Sequence, residues 1–331
     1  MATVLAPPAP APAPAVEQPP LLCVDQLSLS RGDRLILDEV AFTLRSGATL
    51  GLVGESGAGK STIALALIGL LRRPEVGLEG RVLLDGSEDL VSLSEKDWRR
   101  LRGQRIAMIF QDASSALNPC FTIGSQLTTP LRRLLGMDKA AAHARAVELL
   151  LSVGLNDAER RLDAYPHQLS GGMQQRVMIA IALSSNPDLL LADEPTSALD
   201  VTIQAQIIRL ILDETRRRKA SCIFVLHDLA LASQACDEIV VLYGGQVVEA
   251  GPSEVVLRRP MHPYTQGLKA CVLELDSEEL RPLPGGAPSF AAGRPGCRFA
   301  PRCARALDRC AAEKPPLKVV DGRRLACWNP A

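Results

Sequence analysis

Two runs of this chain carry the residue types needed to hold and cut a nucleoside triphosphate. The first, Gly54-Glu55-Ser56-Gly57-Ala58-Gly59-Lys60-Ser61, follows a short apolar run, Thr49 to Val53, and leads into an Ala- and Leu-rich stretch. Glycines at 54, 57 and 59 let a backbone wrap phosphates closely without Cβ clashes. A helix starting behind them aims free N–H groups and the positive end of its dipole at the anion. Lys60 is then spaced to reach the β- and γ-phosphates, and Ser61 to ligate Mg²⁺. The strand–loop–helix setting separates this run from a chance Gly-rich turn. In the second run, Leu189-Leu190-Leu191-Ala192 ends in Asp193 and Glu194. Four apolar residues predict a buried strand that delivers Asp193 to the C-terminal edge of a sheet, where α/β proteins bind ligands and where it can hold Mg²⁺.

The elements that must position these runs follow from apolar periodicity. Leu21 to Leu29 and Val40 to Leu44 alternate as half-buried strands do, with a turn at Arg31-Gly32-Asp33. Ser61 to Leu71 reads as a helix and Arg81 to Asp85 as a strand. From Glu95 to about Tyr165 the pattern is mostly helical, most clearly over Lys139 to Val153. Cys222 to Leu226 is a further short strand, reached through a helix over Ile203 to Arg218. Glu238 to Leu242 and Gln246 to Glu249 read as a hairpin through Gly244-Gly245. Alternating strands and helices predict an α/β fold, a parallel-sheet core with an antiparallel part beside it. There is no internal repeat, so one nucleotide-binding domain is expected.

Composition narrows the function. The 331 residues hold 37 basic and 37 acidic side chains. That balance argues against a protein that coats nucleic acid, and no nucleic-acid partner is expected. No uncharged apolar run approaches the roughly 20 residues that cross a bilayer, so a membrane pore would have to be another chain. Ala6 to Pro20 alternates Ala and Pro without a basic start or an unbroken apolar run. It reads as a disordered or polyproline tail rather than a secretory signal, and a reducing compartment is expected.

Between the two chemical runs lies Leu169-Ser170-Gly171-Gly172-Met173-Gln174-Gln175-Arg176. Ser170 is a good residue for a helix cap. The small residues and free N–H groups after it suit a γ-phosphate presented by a facing subunit. The three runs in this order resemble the ATP-binding subunits of ABC transporters. The resemblance implies a P-loop ABC ATPase core with a helical subdomain. It implies that Ser170, Gly171, Gly172 and Gln174 of one subunit close over ATP held by residues 54–62 of another, Thr62 lying on the α-phosphate side. Glu194 would polarise the attacking water. Gln111, in Met108-Ile109-Phe110-Gln111-Asp112, matches the glutamine that binds Mg²⁺ or water and links the site to the helical subdomain. His227 matches the histidine that contacts the γ-phosphate, and Ser197 to Asp200 match a loop that crosses the dimer interface. One departure stands out. The family usually carries an adenine-stacking aromatic near the end of the first strand, where this chain has Ser28-Leu29-Ser30-Arg31; Arg31 can stack by its guanidinium plane instead.

Gln111-Asp-Ala-Ser-Ser-Ala-Leu-Asn118-Pro119 and Arg258-Arg259-Pro260-Met261-His262-Pro263-Tyr264-Thr265 resemble the ATPases of bacterial dipeptide and oligopeptide importers, a group that includes nickel and glutathione importers. His262, between Met and Pro, reads as a packing residue rather than a metal ligand. The likeness implies two membrane permease subunits, a second ABC ATPase subunit that is homologous or identical, and a periplasmic or extracellular substrate-binding protein. It places the chain peripherally on the cytoplasmic face of the bacterial inner membrane. Soluble ABC ATPases of DNA repair or translation are the rival class; their long coiled coils, zinc insertions or paired cassettes are missing from this sequence. The expected organisation is a tail over residues 1–20, a nucleotide-binding domain over 21–255 with its helical subdomain at about 100–168, and an extension over 256–331. The extension begins before a Pro/Gly-rich boundary at Pro282 to Pro295 and carries Cys297, Cys303, Cys310 and Cys327. Four clustered thiols in a reducing compartment suggest a soft metal centre more than disulfides. The C-x-x-C pair common in zinc sites is missing, and the wider spacing resembles the iron–sulfur motif of the peptide-importer ATPases, implying a [4Fe–4S] cluster; zinc and free thiols are the alternatives. Cys23, Cys120, Cys222, Cys236 and Cys271 read as small core residues.

Overall fold

A computed structural model describes residues 19–71, 76–197, 200–271, 283, 285–286 and 295–331. Nearly all of the Ala/Pro run and most of the Pro/Gly-rich boundary lie outside them. The strands in chain order are β1 (Leu22–Arg31), β2 (Arg34–Leu44), β3 (Thr49–Val53), β4 (Gly77–Leu84), β5 (Glu88–Asp89), β6 (Ile106–Ile109), β7 (Leu189–Asp193), β8 (Ser221–Leu226), β9 (Glu238–Tyr243), β10 (Gln246–Pro252), β11 (Lys318–Val320) and β12 (Arg323–Leu325). They form a smaller sheet, β2-β1-β4-β5, and a larger one, β11-β12-β10-β9-β3-β8-β7-β6. Pairing is antiparallel throughout the smaller sheet. In the larger sheet β9, β3, β8, β7 and β6 run parallel, and β10, β12 and β11 add antiparallel strands at one side.

Every residue of β3, β7 and β8 is buried. Such strands read as unbroken apolar runs because helices or a second sheet cover both faces. The period of two still sorts their side chains. Leu189, Leu191, Ile223 and Val225 join the core under the smaller sheet, whereas Leu190, Ala192, Phe224 and Leu226 join the core under the helical subdomain. That subdomain is built on helices Ile123–Leu135 and Lys139–Ser152, each opened by a capping side chain, Thr122 and Asp138. Ile123, Leu127 and Leu131 recur every fourth residue on the buried face of the first.

Two expectations change. β6 breaks the stretch read as helical: four buried apolar residues are too short to reveal a period and pair beside β7 instead. The helix after the phosphate-type loop is Lys60–Leu67, shorter than Ser61 to Leu71. Gly69 turns the chain there at φ +67, and a Cβ on it would lie 2.3 Å from the Trp98 ring. The C-terminal segment is joined to the larger sheet through β12.

Its main polar anchor is buried. Arg323 Nη1 lies 3.1 Å from Glu249 Oε1, with side-chain exposures of 3% and 0%. Glu249 also accepts the Met261 and His262 backbone N–H groups. His262 is itself buried, its Nδ1 accepting from Tyr264 N at 3.0 Å, and burial pulls its pKa down to about 3. It is a packing residue, as the sequence suggested. Arg323→Met should destabilise the protein by about 3–5 kcal/mol, because it strands a buried carboxylate. Chemical denaturation of that variant beside Glu249→Gln/Arg323→Met checks this: the double variant should recover part of the loss.

Candidate functional site

The parallel register brings the expected motifs together. Val53 of β3 pairs with Leu226 of β8, Val225 with Asp193 of β7, and Ala192 with Ile109 of β6. The residues that follow these strand ends are Gly54, His227, Glu194 and Phe110-Gln111. Four chain segments therefore leave the sheet at one edge.

The loop after β3 is shaped by its glycines. A Cβ on Gly54 would lie 2.3 Å from the Leu242 carbonyl oxygen, and one on Gly59, at φ +101, 2.7 Å from Leu37 Cδ2. Gly59 is the N-cap of helix Lys60–Leu67, whose first turn carries no acidic residue. Lys60 is buried and its Nζ donates to the Gly54 and Glu55 carbonyls at 2.8 and 3.0 Å. Burial lowers its pKa, against the opposing fields of Glu194, Asp193 and Glu55. Ser61 Oγ donates to Asp193 Oδ1 at 2.8 Å. Burial raises the Asp193 pKa; the Ser61 bond works against it, Glu194 adds to it and Lys60 opposes it.

Glu194 holds a left-handed backbone, φ 42, which is costly for a residue with a side chain. Its N–H is fixed to Val225 O at 3.1 Å, and Gln111 Nε2 donates to its Oε2 at 3.1 Å. His227 is exposed at the same edge, and Thr62 is half-buried in the helix behind Ser61. A hydroxyl and a carboxylate side by side are the hard oxygen donors that suit Mg²⁺, which completes its shell from substrate phosphates and water.

The Leu169–Arg176 segment opens helix Gly171–Ala182, with Ser170 at the N-cap position. The expected capping bond is not made: Ser170 is exposed and its side chain accepts no cap hydrogen bond. Gln174 faces inward, its amide donating to the Pro166 and Leu169 carbonyls at 2.8 and 3.3 Å, so it braces the segment. A Cβ on Gly171 or Gly172 would meet nothing within 4 Å. Two residues that sequence reading missed join this region. Gln175, buried, donates to Pro195 O at 2.8 Å, tying the helix to the residue after Glu194. Tyr264 Oη accepts the Glu55 N–H at 2.8 Å, a contact that the sequence around Tyr264 does not signal. Of the interface loop, Ser197 and Asp200 are described and Ala198 and Leu199 lie outside the described residues. Arg31 is exposed at the end of β1.

The ABC transporter family model matches residues 37–197, and that of the oligopeptide/dipeptide transporter C-terminal region matches residues 248–310. The dipeptide transport ATP-binding protein DppD of Escherichia coli K12 is 45% identical over 321 residues, 94% of this chain and 97% of that protein. The chain belongs to the ABC transporter ATP-binding family. The oligopeptide transport ATP-binding protein AppD of Bacillus subtilis is also 45% identical, over 88% of this chain and 90% of its own. A dimeric, ADP- and phosphate-bound form of the ATP-binding cassette MJ0796 superposes with a TM-score of 0.62 at 28% identity, covering 70% of this chain and 98% of that one. Among the described residues of this ABC ATPase, no helix is long and apolar enough to cross a membrane.

The tail cysteines do not bear out the metal expectation. Cys310 is buried, and Cys297, Cys303 and Cys327 are half-buried. They are near enough for Cys310 and Cys327 to act on Cys297 electrostatically, and for Cys303 and Cys310 to act on Cys327. Yet among the described residues no three His, Cys, Asp or Glu side chains form a group that could hold a metal ion. Burial pushes the Cys297 thiol up to about 11 and raises Cys327 as well. The [4Fe–4S] cluster expected on Cys297, Cys303, Cys310 and Cys327 is thus unsupported by this geometry, and zinc equally so. Of the other five, Cys222 and Cys236 are buried, as expected, Cys23 is half-buried, and Cys120 and Cys271 are exposed rather than in the core.

Asp193 sets a test of the site's electrostatics. Its folded pKa stands above the ordinary 3.8, so the stability it contributes is present below that value and lost as pH rises through the folded pKa. Asp193→Asn should therefore melt no lower than wild type at pH 7 without nucleotide. Any advantage should shrink as pH falls toward 3.8. Thermal denaturation across pH checks both signs; a clearly lower melting temperature for the variant at pH 7 would contradict them.

Proposed function

We propose that this ABC ATPase powers import of di- or oligopeptides through separate membrane subunits, by hydrolysing ATP at the Gly54–Ser61 edge. The observation that carries hydrolysis is the pairing of Ser61 with Asp193 at 2.8 Å beside Gln111 with Glu194 at 3.1 Å. Two metal-holding oxygens and an oriented carboxylate stand at one sheet edge. Lys60 offsets charge on the β- and γ-phosphates, and the loop N–H groups cradle them. Ser61 and Asp193 hold Mg²⁺, with Gln111 as a further ligand or water holder. Mg²⁺, when bound, neutralises charge that develops on the transferring phosphoryl oxygens. Glu194 orients the attacking water and accepts its proton, with Gln111 fixing one carboxylate oxygen. His227 contacts the γ-phosphate from the end of β8.

Closure needs a second ATPase subunit, identical or homologous. Glycine costs a helix about 1 kcal/mol relative to alanine, and the folded chain gives no packing reason for Gly171 and Gly172, since a Cβ at either meets open space. Together with the unengaged Ser170 side chain, this supports a surface meant for a facing phosphate. Because two nucleotides become shared interface, ATP binding favours the closed pair and hydrolysis with release reopens it. The membrane subunits dock beside Gln111, where Phe110 and Phe121 are exposed at a groove also lined by Leu117, Pro130 and Ile181. On this reading the subunit sits on the cytoplasmic face of the bacterial inner membrane, fed by a substrate-binding protein outside. Whole-length similarity to dipeptide and oligopeptide transport ATPases, including the C-terminal region, supports the peptide cargo. The iron–sulfur reading of the tail rests on its own assay: anaerobically purified protein with about four iron and four sulfide per chain would restore it, and four alkylatable thiols without iron would remove it.

Glu194→Gln should bind ATP as wild type does yet hydrolyse it about 10²-fold or more slowly, accumulating as an ATP-bound dimer. Turnover within about 3-fold of wild type would sink the role of Glu194. Ser170→Arg in that background should abolish ATP-induced dimerisation by light scattering while monomer nucleotide affinity stays nearly intact. Unchanged dimerisation would reject the shared site.

A further inference from the structure

The phosphate loop is held from a side that the ATPase core does not supply. Glu55 is its second residue, and its carboxylate is gripped by Arg302 of the C-terminal extension. Nη1 lies 2.7 Å from Oε2 and Nη2 3.0 Å from Oε1, a two-pronged pair of the stronger, charge-assisted kind. The guanidinium is 8% exposed and Glu55 31%, so water screens the pair only in part. Arg302 is fixed in turn. Its carbon Cζ lies 5.7 Å from the Tyr243 ring centroid and 6.0 Å from that of Phe299. Tyr243 packs edge-on against Tyr264 and Phe299, centroids 4.7 and 5.0 Å apart, and Tyr264 tilts against Phe299 at 5.4 Å to complete a trio. Tyr264, from the same trio, caps the Glu55 N–H. Main chain and side chain of Glu55 are thus held by Tyr264 and Arg302.

We propose that the C-terminal extension completes the nucleotide site: Arg302 neutralises and positions Glu55 inside the phosphate loop, and so sets the affinity for Mg·ATP. Glu55 is a negative charge in a loop that must accept a polyanion. Unpaired, it would repel the phosphates and be free to swing toward them. Paired, it becomes a strut that ties the loop to the tail. Arg302 is a positioning residue, since it acts through Glu55. The tail also grips β2, where Arg298 meets Asp38 at 3.3 Å and Lys314 meets Asp38 and Glu39 at 2.8 Å. A shift of the tail is therefore transmitted to the loop as a displaced charge.

The inference rests on reading the Gly54–Ser61 loop as the ATP site, and the experiment separates the two. Mg·ATP affinity and steady-state hydrolysis are measured on the full chain for wild type, Arg302→Ala, Arg302→Lys, Glu55→Gln and Glu55→Gln/Arg302→Ala. Arg302→Ala should weaken ATP binding about 10-fold, with KM rising and kcat changing by less than about 2-fold. Arg302→Lys, which keeps the charge but loses the fork, should fall between, and it carries the test if Arg302→Ala melts early. In the Glu55→Gln background, Arg302→Ala should change affinity by less than about 2-fold, because no charge is left to neutralise. That rescue is the decisive reading, since a merely structural tail contact would cost as much in either background. Unchanged affinity in Arg302→Ala, or an equal loss in the Glu55→Gln background, would overturn the inference. Absence of ATP binding by wild type would instead overturn the reading of the loop.

Discussion

Register between parallel strands fixes where the candidate site forms. With Val53, Leu226, Asp193 and Ile109 at adjacent strand ends, every segment that leaves β3, β8, β7 or β6 must leave at the same edge. A slip by one residue in any pair would turn that strand's side chains over, exchanging the two cores. Leu190 and Phe224 would then face the smaller sheet, and Leu191 and Ile223 the helical subdomain. Apolar burial on both faces therefore holds the register, and the register holds Ser61 against Asp193. The geometry of the candidate site is a by-product of how the core packs.

At that edge the charges are arranged in pairs. Lys60 is buried on its own loop carbonyls and feels Glu194, Asp193 and Glu55. Asp193 is buried beside Ser61, and burial disfavours its anionic form. Glu55 is answered by Arg302 from the far end of the chain. The strained Glu194 backbone is pinned to β8, and Gln175 links the next residue to the Ser170 segment. The Gly54–Ser61 loop, the carboxylates, the Ser170 segment and the C-terminal extension thus share a few short contacts.

The sequence made the site more legible than the fold around it. Gly54 to Ser61 and Leu189 to Glu194 could be placed because each couples an unbroken apolar strand to a polar end, and a fully buried parallel strand leaves that signature. β6 has the same signature but only four residues, so it was lost among helical neighbours. The tail was harder. Its order comes from one buried ion pair, Arg323 with Glu249, from β12 joining β10, and from Arg302 on Glu55; each joins residues tens to hundreds apart, and local pattern carries no trace of them. The cysteines, by contrast, drew attention through spacing alone, and spacing does not fix how far apart side chains stand once folded. Gln174 shows the same limit within a strong motif: Ser170 and Gly171 are exposed, whereas its amide turns back to Pro166 and Leu169.

The central claim is that Ser61 and Asp193 act as one metal-holding unit at the sheet edge. It is tested most directly by ATP affinity with Mg²⁺ and with chelator, in wild type, Ser61→Ala, Asp193→Asn and the double variant. The account predicts that the gain in affinity due to Mg²⁺ is lost in each single variant and no further in the double. An undiminished Mg²⁺ gain in Asp193→Asn, or losses that simply add, would contradict it.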